Sequence, residues 1–216
     1  NHLAFAVADF DRDGVQDIAR ISDWVAQSIT HTLQIFEGTG ADNFTLGDRL
    51  DYDEAIGNTL GENFVQMRAG DFDRDGDPDL VILTTYQNRA TDPTFRDRGH
   101  LRIRWNNNGA FDSETVLEGN DLRVHSRLLT GDIDNDGDID IQTNALTLYS
   151  TTGAETRFTF LYINQGDGSF VAENVLGPED NSLNEPLFFA DIDRNSRLEW
   201  VGLTDRIRRA TVAPVH

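Results

Sequence analysis

The sequence predicts an all-β protein made of repeated units, each containing four short antiparallel strands. The first observation is an acidic nine-residue loop that occurs four times, with first aspartates separated by 62, 61 and 59 residues. The second is a set of short apolar runs at the same places in each period, divided by turns rich in asparagine and glycine. The third is that no segment has a convincing apolar stripe at helical spacing. A fixed period of this length indicates a repeat architecture.

The four acidic loops share one pattern of oxygen-bearing side chains. Positions 1, 3, 5 and 9 carry carboxylates in the first three loops, with glycine at position 6, and position 7 varies. The predicted metal-ligating residues at positions 1, 3, 5, 7 and 9 are Asp9, Asp11, Asp13, Val15 and Asp17 in the first loop; Asp71, Asp73, Asp75, Asp77 and Asp79 in the second; Asp132, Asp134, Asp136, Asp138 and Asp140 in the third; and Asp191, Asp193, Asn195, Arg197 and Glu199 in the fourth.

Calcium is the cation that this pattern favours. It takes six to eight oxygen ligands at roughly 2.3–2.6 Å in a flexible geometry, whereas magnesium demands a rigid octahedron and retains its waters. Alternate side chains of a tight turn can point inward together, and position 7 can donate its main-chain carbonyl whatever its side chain is. Glycine at position 6 suits a sharp turn because it adopts positive φ at little cost. We therefore expect calcium in the first three loops.

The fourth loop departs from the pattern. Asn195 replaces aspartate, Ser196 replaces glycine and Glu199 replaces the closing aspartate. Serine pays a backbone penalty in a left-handed conformation, and the loop carries less negative charge. Weak binding and no binding both remain open for this loop.

An EF-hand and a solvated turn are the main alternatives to this interpretation. An EF-hand needs an acidic residue at position 12, and those positions hold Arg20, Ile82, Thr143 and Gly202. The segments that flank the loops, such as 3–8 and 79–83, have the composition of strands rather than helices. The other alternative is a solvated acidic turn without metal, which three complete matches at equal spacing disfavour.

Each period contains its predicted strands in the same order. The first strand precedes the acidic loop, at 3–8 or 127–130, and the second follows it, at 17–21, 79–84 and 140–148. The third strand lies at 32–36, 101–105 and 158–163. A turn and a phenylalanine then open the fourth strand, at 38–44, 106–111 and 164–170. Such turns between alternating runs are typical of hairpins.

Two motifs together resemble those of a known family. The Asp-x-Asp-x-Asp-Gly-x-x-Asp loop and the Asn-x-Gly-x-Gly-x-Phe hairpin at 164–170 are similar to the FG-GAP/VCBS calcium-binding β-propeller repeat, found in the integrin α-subunit head and in many bacterial surface proteins. Repeated four-stranded units suit propeller blades. The predicted blades are 1–60, 61–121, 122–182 and an incomplete 183–216. The chain thus holds about 3.5 blades. We expect it to form part of a larger ring of about seven blades, completed by the same longer chain or by another subunit.

Composition narrows the classes of partner. The chain has 216 residues, a net charge of −20 and no cysteine, and all of its basic residues are arginines. The strong negative charge disfavours nucleic acid and anionic membrane surfaces as partners. No apolar run approaches the eighteen or so residues of a membrane span. Calcium loops of this type fit an extracellular or cell-surface location, where free calcium is abundant.

One segment stands out as a candidate ligand surface. The predicted loop at 85–100 joins the second and third strands of the second repeat, and it gathers Tyr86, Arg89, Phe95, Arg96 and Arg98 in an otherwise acidic protein. Arginine and aromatic residues are enriched at binding hot spots, and planar guanidinium groups suit carboxylates or sulfates. A solvated, charge-balanced insertion is the alternative.

The predicted function is a non-catalytic extracellular recognition or adhesion module, a calcium-stabilised propeller that binds a protein or a glycan. A structural scaffold in a larger surface or secreted assembly is a second hypothesis, and part of a propeller-type polysaccharide lyase or hydrolase is a third. No catalytic residue is predicted. The five histidines share no metal-ligand spacing, and carboxylates committed to calcium make poor general acids.

Overall fold

The computed structural model describes residues 3–26, 28–40, 43–52, 60–87, 97–118, 125–149, 154–176, 186–190, 199–202 and 208–209. Within these ranges the protein is all-β, as predicted, and no helix is present. The strands form three four-stranded antiparallel sheets and one three-stranded sheet. In each sheet the strands are hydrogen-bonded in the order in which they occur along the chain.

The strand bounds follow the sequence repeat. The first sheet contains β1 (Leu3–Ala8), β2 (Asp17–Ala26), β3 (Ser28–Gly38) and β4 (Phe44–Tyr52). The second contains β5 (Leu60–Gly70), β6 (Asp79–Gln87), β7 (Asp97–Asn107) and β8 (Ala110–Glu118). The third contains β9 (His125–Gly131), β10 (Asp140–Tyr149), β11 (Ala154–Asn164) and β12 (Phe170–Leu176). The fourth contains β13 (Pro186–Ala190), β14 (Glu199–Gly202) and β15 (Arg208–Arg209).

The predicted strands of the first three repeats are confirmed, and most extend beyond the predicted runs. One prediction is wrong in part: the segment 85–100 is not a loop throughout, because β6 continues to Gln87 and β7 begins at Asp97. Tyr86 and Arg98 are opposite each other in this ladder. The run of threonines and Tyr86 that follows the apolar part of β6 explains the extension, since β-branched and aromatic residues favour strands.

The described chain divides into two compact units. One contains residues 1–71 and 75–125, and the other contains 72–74 and 126–216. The first and second sheets therefore belong to one unit.

The core of this unit lies between the first and second sheets. Alanines line β1 there, while β2 and β3 of the first sheet also contribute larger side chains, and apolar residues of the second sheet pack against them. The buried members are Ala4, Ala6, Phe10, Ala19, Ile21, Leu33, Ile35, Met67, Leu80, Ile82 and Phe111. Alanines on β1 let the two sheets approach closely, and burying such apolar surface contributes about 25 cal/mol per Å².

The first two sheets differ in how many faces they bury. Four consecutive residues of β6, numbers 80–83, are fully buried, and successive strand residues point to opposite faces. The second sheet is therefore buried on both sides of β6. In β1, by contrast, Ala4 and Ala6 are buried whereas Phe5 is 68% exposed and Val7 is 50% exposed. One face of the first sheet is thus open and apolar.

No helix among the described residues is long and apolar enough to cross a bilayer.

Candidate metal centre

The first three acidic loops occupy the same place in their sheets. Each connects the first strand of a sheet to the second: β1 to β2, β5 to β6 and β9 to β10. Position 9 of each loop, which is Asp17, Asp79 or Asp140, is the first residue of the second strand. Because strands flank all three loops, the helix-loop-helix arrangement of an EF-hand is excluded for them.

Two backbone positions in each loop are left-handed. Position 4 has φ of 60°, 64° and 66° at Arg12, Arg74 and Asn135. Position 6, always glycine, has φ of 87°, 92° and 94°. A left-handed residue costs little as glycine but roughly 1–2 kcal/mol otherwise. The prediction that glycine serves positive φ at position 6 is confirmed, whereas the strain at position 4 was not foreseen.

Carboxylates at positions 1 and 5 shape the loop through main-chain hydrogen bonds. The position 1 side chain accepts from the position 6 amide in all three loops, at 2.9 Å for Asp9, 3.0 Å for Asp71 and 3.0 Å for Asp132. The position 5 side chain accepts from the position 7 amide, at 2.7, 2.7 and 2.8 Å. These bonds turn the chain around a common centre.

Carboxylate oxygens converge at that centre. In each loop three side chains can place one oxygen each within 4.8 Å of the others: Asp9, Asp11 and Asp13; Asp71, Asp73 and Asp79; Asp132, Asp134 and Asp136. Asp71 Oδ1 and Asp134 Oδ1 are buried and have no hydrogen-bond partner in the described part of the chain. A buried oxygen without a donor is costly unless a cation or water satisfies it. These side chains fit a hard cation that takes oxygen ligands.

The aspartate at position 9 has a second role that the sequence did not reveal. Asp17 accepts from the amide of Phe10 at 2.7 Å with one oxygen and from the amide of Gly38 at 2.7 Å with the other. Asp140 accepts in the same way from Ile133 at 2.7 Å and from Asn164 at 2.9 Å. The fully buried carboxylate therefore ties its own loop to the hairpin between the third and fourth strands. Its predicted role in closing the cation shell stays a prediction.

Burial and mutual repulsion perturb the acids of the third loop. Burial raises the pKa of Asp140 to about 7, against the opposing effect of its two main-chain hydrogen bonds. Burial and then the charge of Asp136 also raise the pKa of Asp134. A divalent cation would lower both values by favouring the ionised forms.

Sequence reasoning missed a contact made by the arginine at position 4. Arg12 donates to the carbonyl oxygens of Asp75 at 2.6 Å and Gly76 at 3.1 Å, and it forms a 2.5 Å ion pair with Asp77. Arg74 makes the corresponding ion pair with Asp138 and donates to the carbonyl of Asp136 at 3.3 Å. In two loops the side chain at position 7 therefore has a partner of its own, in addition to the predicted main-chain role. Arginine at position 4 followed by aspartate at position 7 of the next loop was the available signal.

Sequence reasoning also missed contacts that the first two loops make with the hairpin of the following sheet. The side chain of Asn106 donates to the carbonyl oxygens of Phe10 at 2.8 Å and Pro78 at 3.1 Å. The rings of Phe10 and Phe111 meet edge to face, with centroids 5.4 Å apart. In the other unit, Asn164 donates to the carbonyl of Phe72 at 2.7 Å. Asparagine at the same point of two hairpins could have indicated this role.

Several predicted site residues lie outside the described residues. Asp191, Asp193, Asn195 and Arg197 of the fourth loop are among them, and Glu199 begins β14. Of the candidate ligand residues, Arg89, Phe95 and Arg96 are also outside, whereas Tyr86 and Arg98 lie on β6 and β7.

A scan against models of known protein families and a search of curated proteins found no match to this chain.

Proposed function

We propose that this chain is a calcium-stabilised recognition module of the propeller type, acting at the cell surface or outside the cell and binding a protein or a glycan. The observation that carries the proposal is the convergence of three carboxylates in each of three equivalent loops, with a buried oxygen left without a donor in two of them. Ions bound at these loops would hold the ends of the strands rigidly, while chemistry on a substrate is not part of their role.

The donor set favours calcium among the common cations. The clustered ligands are carboxylates, and the chain has no cysteine to provide a soft ligand. Asp9, Asp71 and Asp132 at position 1 and Asp11, Asp73 and Asp134 at position 3 would hold the ion in each loop. The third clustered acid is Asp13 or Asp136 at position 5 in the first and third loops, and Asp79 at position 9 in the second. When bound, the ion would supply charge compensation for acids that otherwise repel one another.

The propeller arrangement belongs to the same proposal. Two four-stranded sheets pack face to face in one unit, which is how neighbouring blades pack. Phe5 on the open face of the first sheet is 68% exposed, whereas Met67 and Leu128, each four residues before the next acidic loops, are 1% and 0% exposed. This difference supports a further sheet that covers the open face, from the same longer chain or from another subunit.

The first test is native mass spectrometry of the 24.2 kDa chain in calcium and then in chelator. We expect three calcium ions per chain, and a fourth ion would show that the fourth loop also binds. Asp13→Asn should lose one ion. Asp112→Asn, on the exposed side of β8 and outside the loops, should lose none. A chain whose mass is the same in calcium and in chelator would refute the proposal.

Chelation should lower the melting temperature. A ligand that binds the folded state alone stabilises it by about 2.7 kcal/mol per site at a hundredfold excess over Kd. For a chain of this size, 1 kcal/mol corresponds to about 2–4 °C. Differential scanning calorimetry in calcium and in chelator measures the shift, and superimposable curves would contradict it.

The recognition role needs its own experiment. Saturable binding to a member of a protein and glycan panel, weakened by Arg96→Ala with Arg98→Ala, would support it. Arg68→Ala, which removes an exposed arginine of β5, serves as the control. Turnover of an acidic polysaccharide would favour the enzyme hypothesis instead, and no binding at all would favour the scaffold.

A further inference from the structure

The side chain of the arginine at position 4 contacts the following acidic loop. In the first and second loops the residue sits between two acidic positions, 3 and 5, and its backbone is left-handed. Its guanidinium does not turn back to the acids of its own loop: Arg12 contacts residues 75–77, and Arg74 contacts residues 136 and 138. Arg12 thus contacts positions 5, 6 and 7 of the following loop, and Arg74 contacts positions 5 and 7 of its following loop.

We propose that Arg12 and Arg74 are positioning residues that couple successive acidic loops, so that filling one loop with calcium favours filling the next. This inference rests on the proposed calcium binding and adds to it a linkage between sites.

Ordering of the backbone is the physical basis of the linkage. A cation held by Asp11 and Asp13 would fix Arg12 between them, and one held by Asp73 and Asp79 would fix the segment that contains Arg74. The direction of each arginine would be fixed with it. The Arg12 guanidinium then holds two carbonyls and one carboxylate of the next loop, and that of Arg74 holds one carbonyl and one carboxylate. The carboxylate in both cases belongs to position 7, the predicted main-chain ligand. Fixing a residue costs about 1–2 kcal/mol of entropy, so a loop already held by its neighbour binds its ion at lower cost.

Repulsion between the guanidinium and the neighbouring cation opposes this effect. Asp77 reduces the repulsion, because its almost buried carboxylate pairs with Arg12 and offsets the charge. The other oxygen of Asp77 accepts from the amide of Asn108 at 3.0 Å, which anchors the pair to the hairpin of the second sheet. Ordering should therefore exceed repulsion, and the coupling should be positive.

Glycine at position 6 makes room for the contact. A Cβ atom on Gly76 would lie 2.6 Å from Nη2 of Arg12, and one on Gly137 would lie 3.4 Å from Nη2 of Arg74. Position 6 is therefore constrained twice, by its positive φ and by the arginine that crosses it. The third loop has Asn135 instead of arginine at position 4, which provides a natural reference for a loop without a guanidinium.

The experiment follows amide hydrogen exchange of residues 71–79 by mass spectrometry as free calcium is raised. Arg12→Asn copies the third loop and keeps a residue that tolerates positive φ, and Asp13→Asn disables the first loop. Each should raise the calcium concentration for half-maximal protection of the second loop by about fivefold or more. The double variant should show no larger shift than Arg12→Asn alone. Arg12→Lys should restore part of the coupling, and Arg68→Ala should leave the midpoint unchanged.

The outcomes separate this inference from the calcium proposal. If the wild-type chain shows no calcium-dependent protection in any of the three loops, calcium binding fails and the coupling fails with it. If all three loops respond to calcium but neither Arg12→Asn nor Asp13→Asn moves the midpoint of the second loop, calcium binding stands and the coupling is overturned. Additive shifts in the double variant would also overturn it, because independent effects do not pass through one residue.

Discussion

The first and second sheets have the same strand order and the same acidic loop, yet they differ in what surrounds them. The second sheet buries residues 80–83 completely, on both faces of β6, while the first exposes Phe5 and Val7 on one face. The hairpins between the third and fourth strands differ as well. Asn106 of the second sheet and Gly38 of the first both donate their amide to the position 9 aspartate, but only Asn106 has a side chain, which donates to the carbonyl of Phe10 in the first loop. Sheets with the same sequence pattern therefore differ in burial and in contacts because different segments pack against them.

The largest expected difference lies in the phenylalanine after each hairpin turn. Phe111 is fully buried against Phe10, whereas Phe44 is 47% exposed. Phe111→Ala should lower the free energy of unfolding by about 3–5 kcal/mol because it leaves a cavity. Phe44→Ala should cost about 1 kcal/mol or less. Denaturant unfolding in calcium measures both, and equal losses would show that the open face is covered in solution.

A smaller difference is expected at the start of the hairpins. Asn106→Ala removes the donor to the carbonyls of Phe10 and Pro78 and the acceptor for the amide of Gly109. Buried polar groups left unpaired cost about 1–3 kcal/mol each, so we expect a loss of about 2–3 kcal/mol after partial relaxation. Asn107→Ala, at an exposed neighbouring position, is the control. If both variants unfold at the same denaturant concentration, the side-chain hydrogen bonds of Asn106 do not contribute to stability as expected.

In the first sheet the corresponding position is Gly38, and adding a side chain there should be harmful. A Cβ on Gly38 would overlap the main-chain carbonyl oxygen of Gln16 and lie 2.7 Å from Cγ1 of Val15. Gly38→Ala should therefore cost about 1–3 kcal/mol through overpacking. At Gly47 the close atoms belong to the flexible side chain of Glu37, which can move away. In thermal unfolding, Gly47→Ala should have a melting temperature close to that of the wild type. An unchanged melting temperature for Gly38→Ala would show that the backbone near Gly38 shifts to make room for the added Cβ.

The last difference concerns pH and extends the comparison to the third sheet. Burial raises the pKa of Asp140 from 3.8 to about 7 and also raises the pKa of Asp134. The folded, chelated protein therefore holds protons that the unfolded chain releases. This contribution to stability is complete below about pH 4 and is lost as the pH rises through about 7.

Chemical denaturation in chelator at pH 5 and at pH 7.5 tests this dependence. We expect a lower free energy of unfolding at the higher pH. In saturating calcium the trend should flatten or reverse, because metal binding requires the ionised carboxylates. Stability that increases with pH in chelator would contradict the assignment of raised pKa values to these two acids.

Much of the fold was predictable because its signals are local. Alternation within strands, turns such as 106–109 and the nine-residue spacing from Asp9 to Asp17 are all readable within one repeat. The contacts between repeats were not, because Arg12 and Asp75 are 63 positions apart and no local pattern requires them to meet. The same limit applies to Phe5 and Met67, which occupy equivalent apolar positions and differ only in what covers them.

Sequence separation distinguishes the two kinds of bond made by the loops. Within a repeat, Asp17 joins residues 7 and 21 positions away, and Asp140 joins residues 7 and 24 away. Between repeats, Asn106 and Asn164 bond to residues 96 and 92 positions earlier. Short-range contacts form faster because their loops close at lower entropic cost. We therefore expect the bonds within a repeat to form before those between repeats, so that the carbonyl of Phe10 acquires Asn106 as its partner only after the second hairpin has folded.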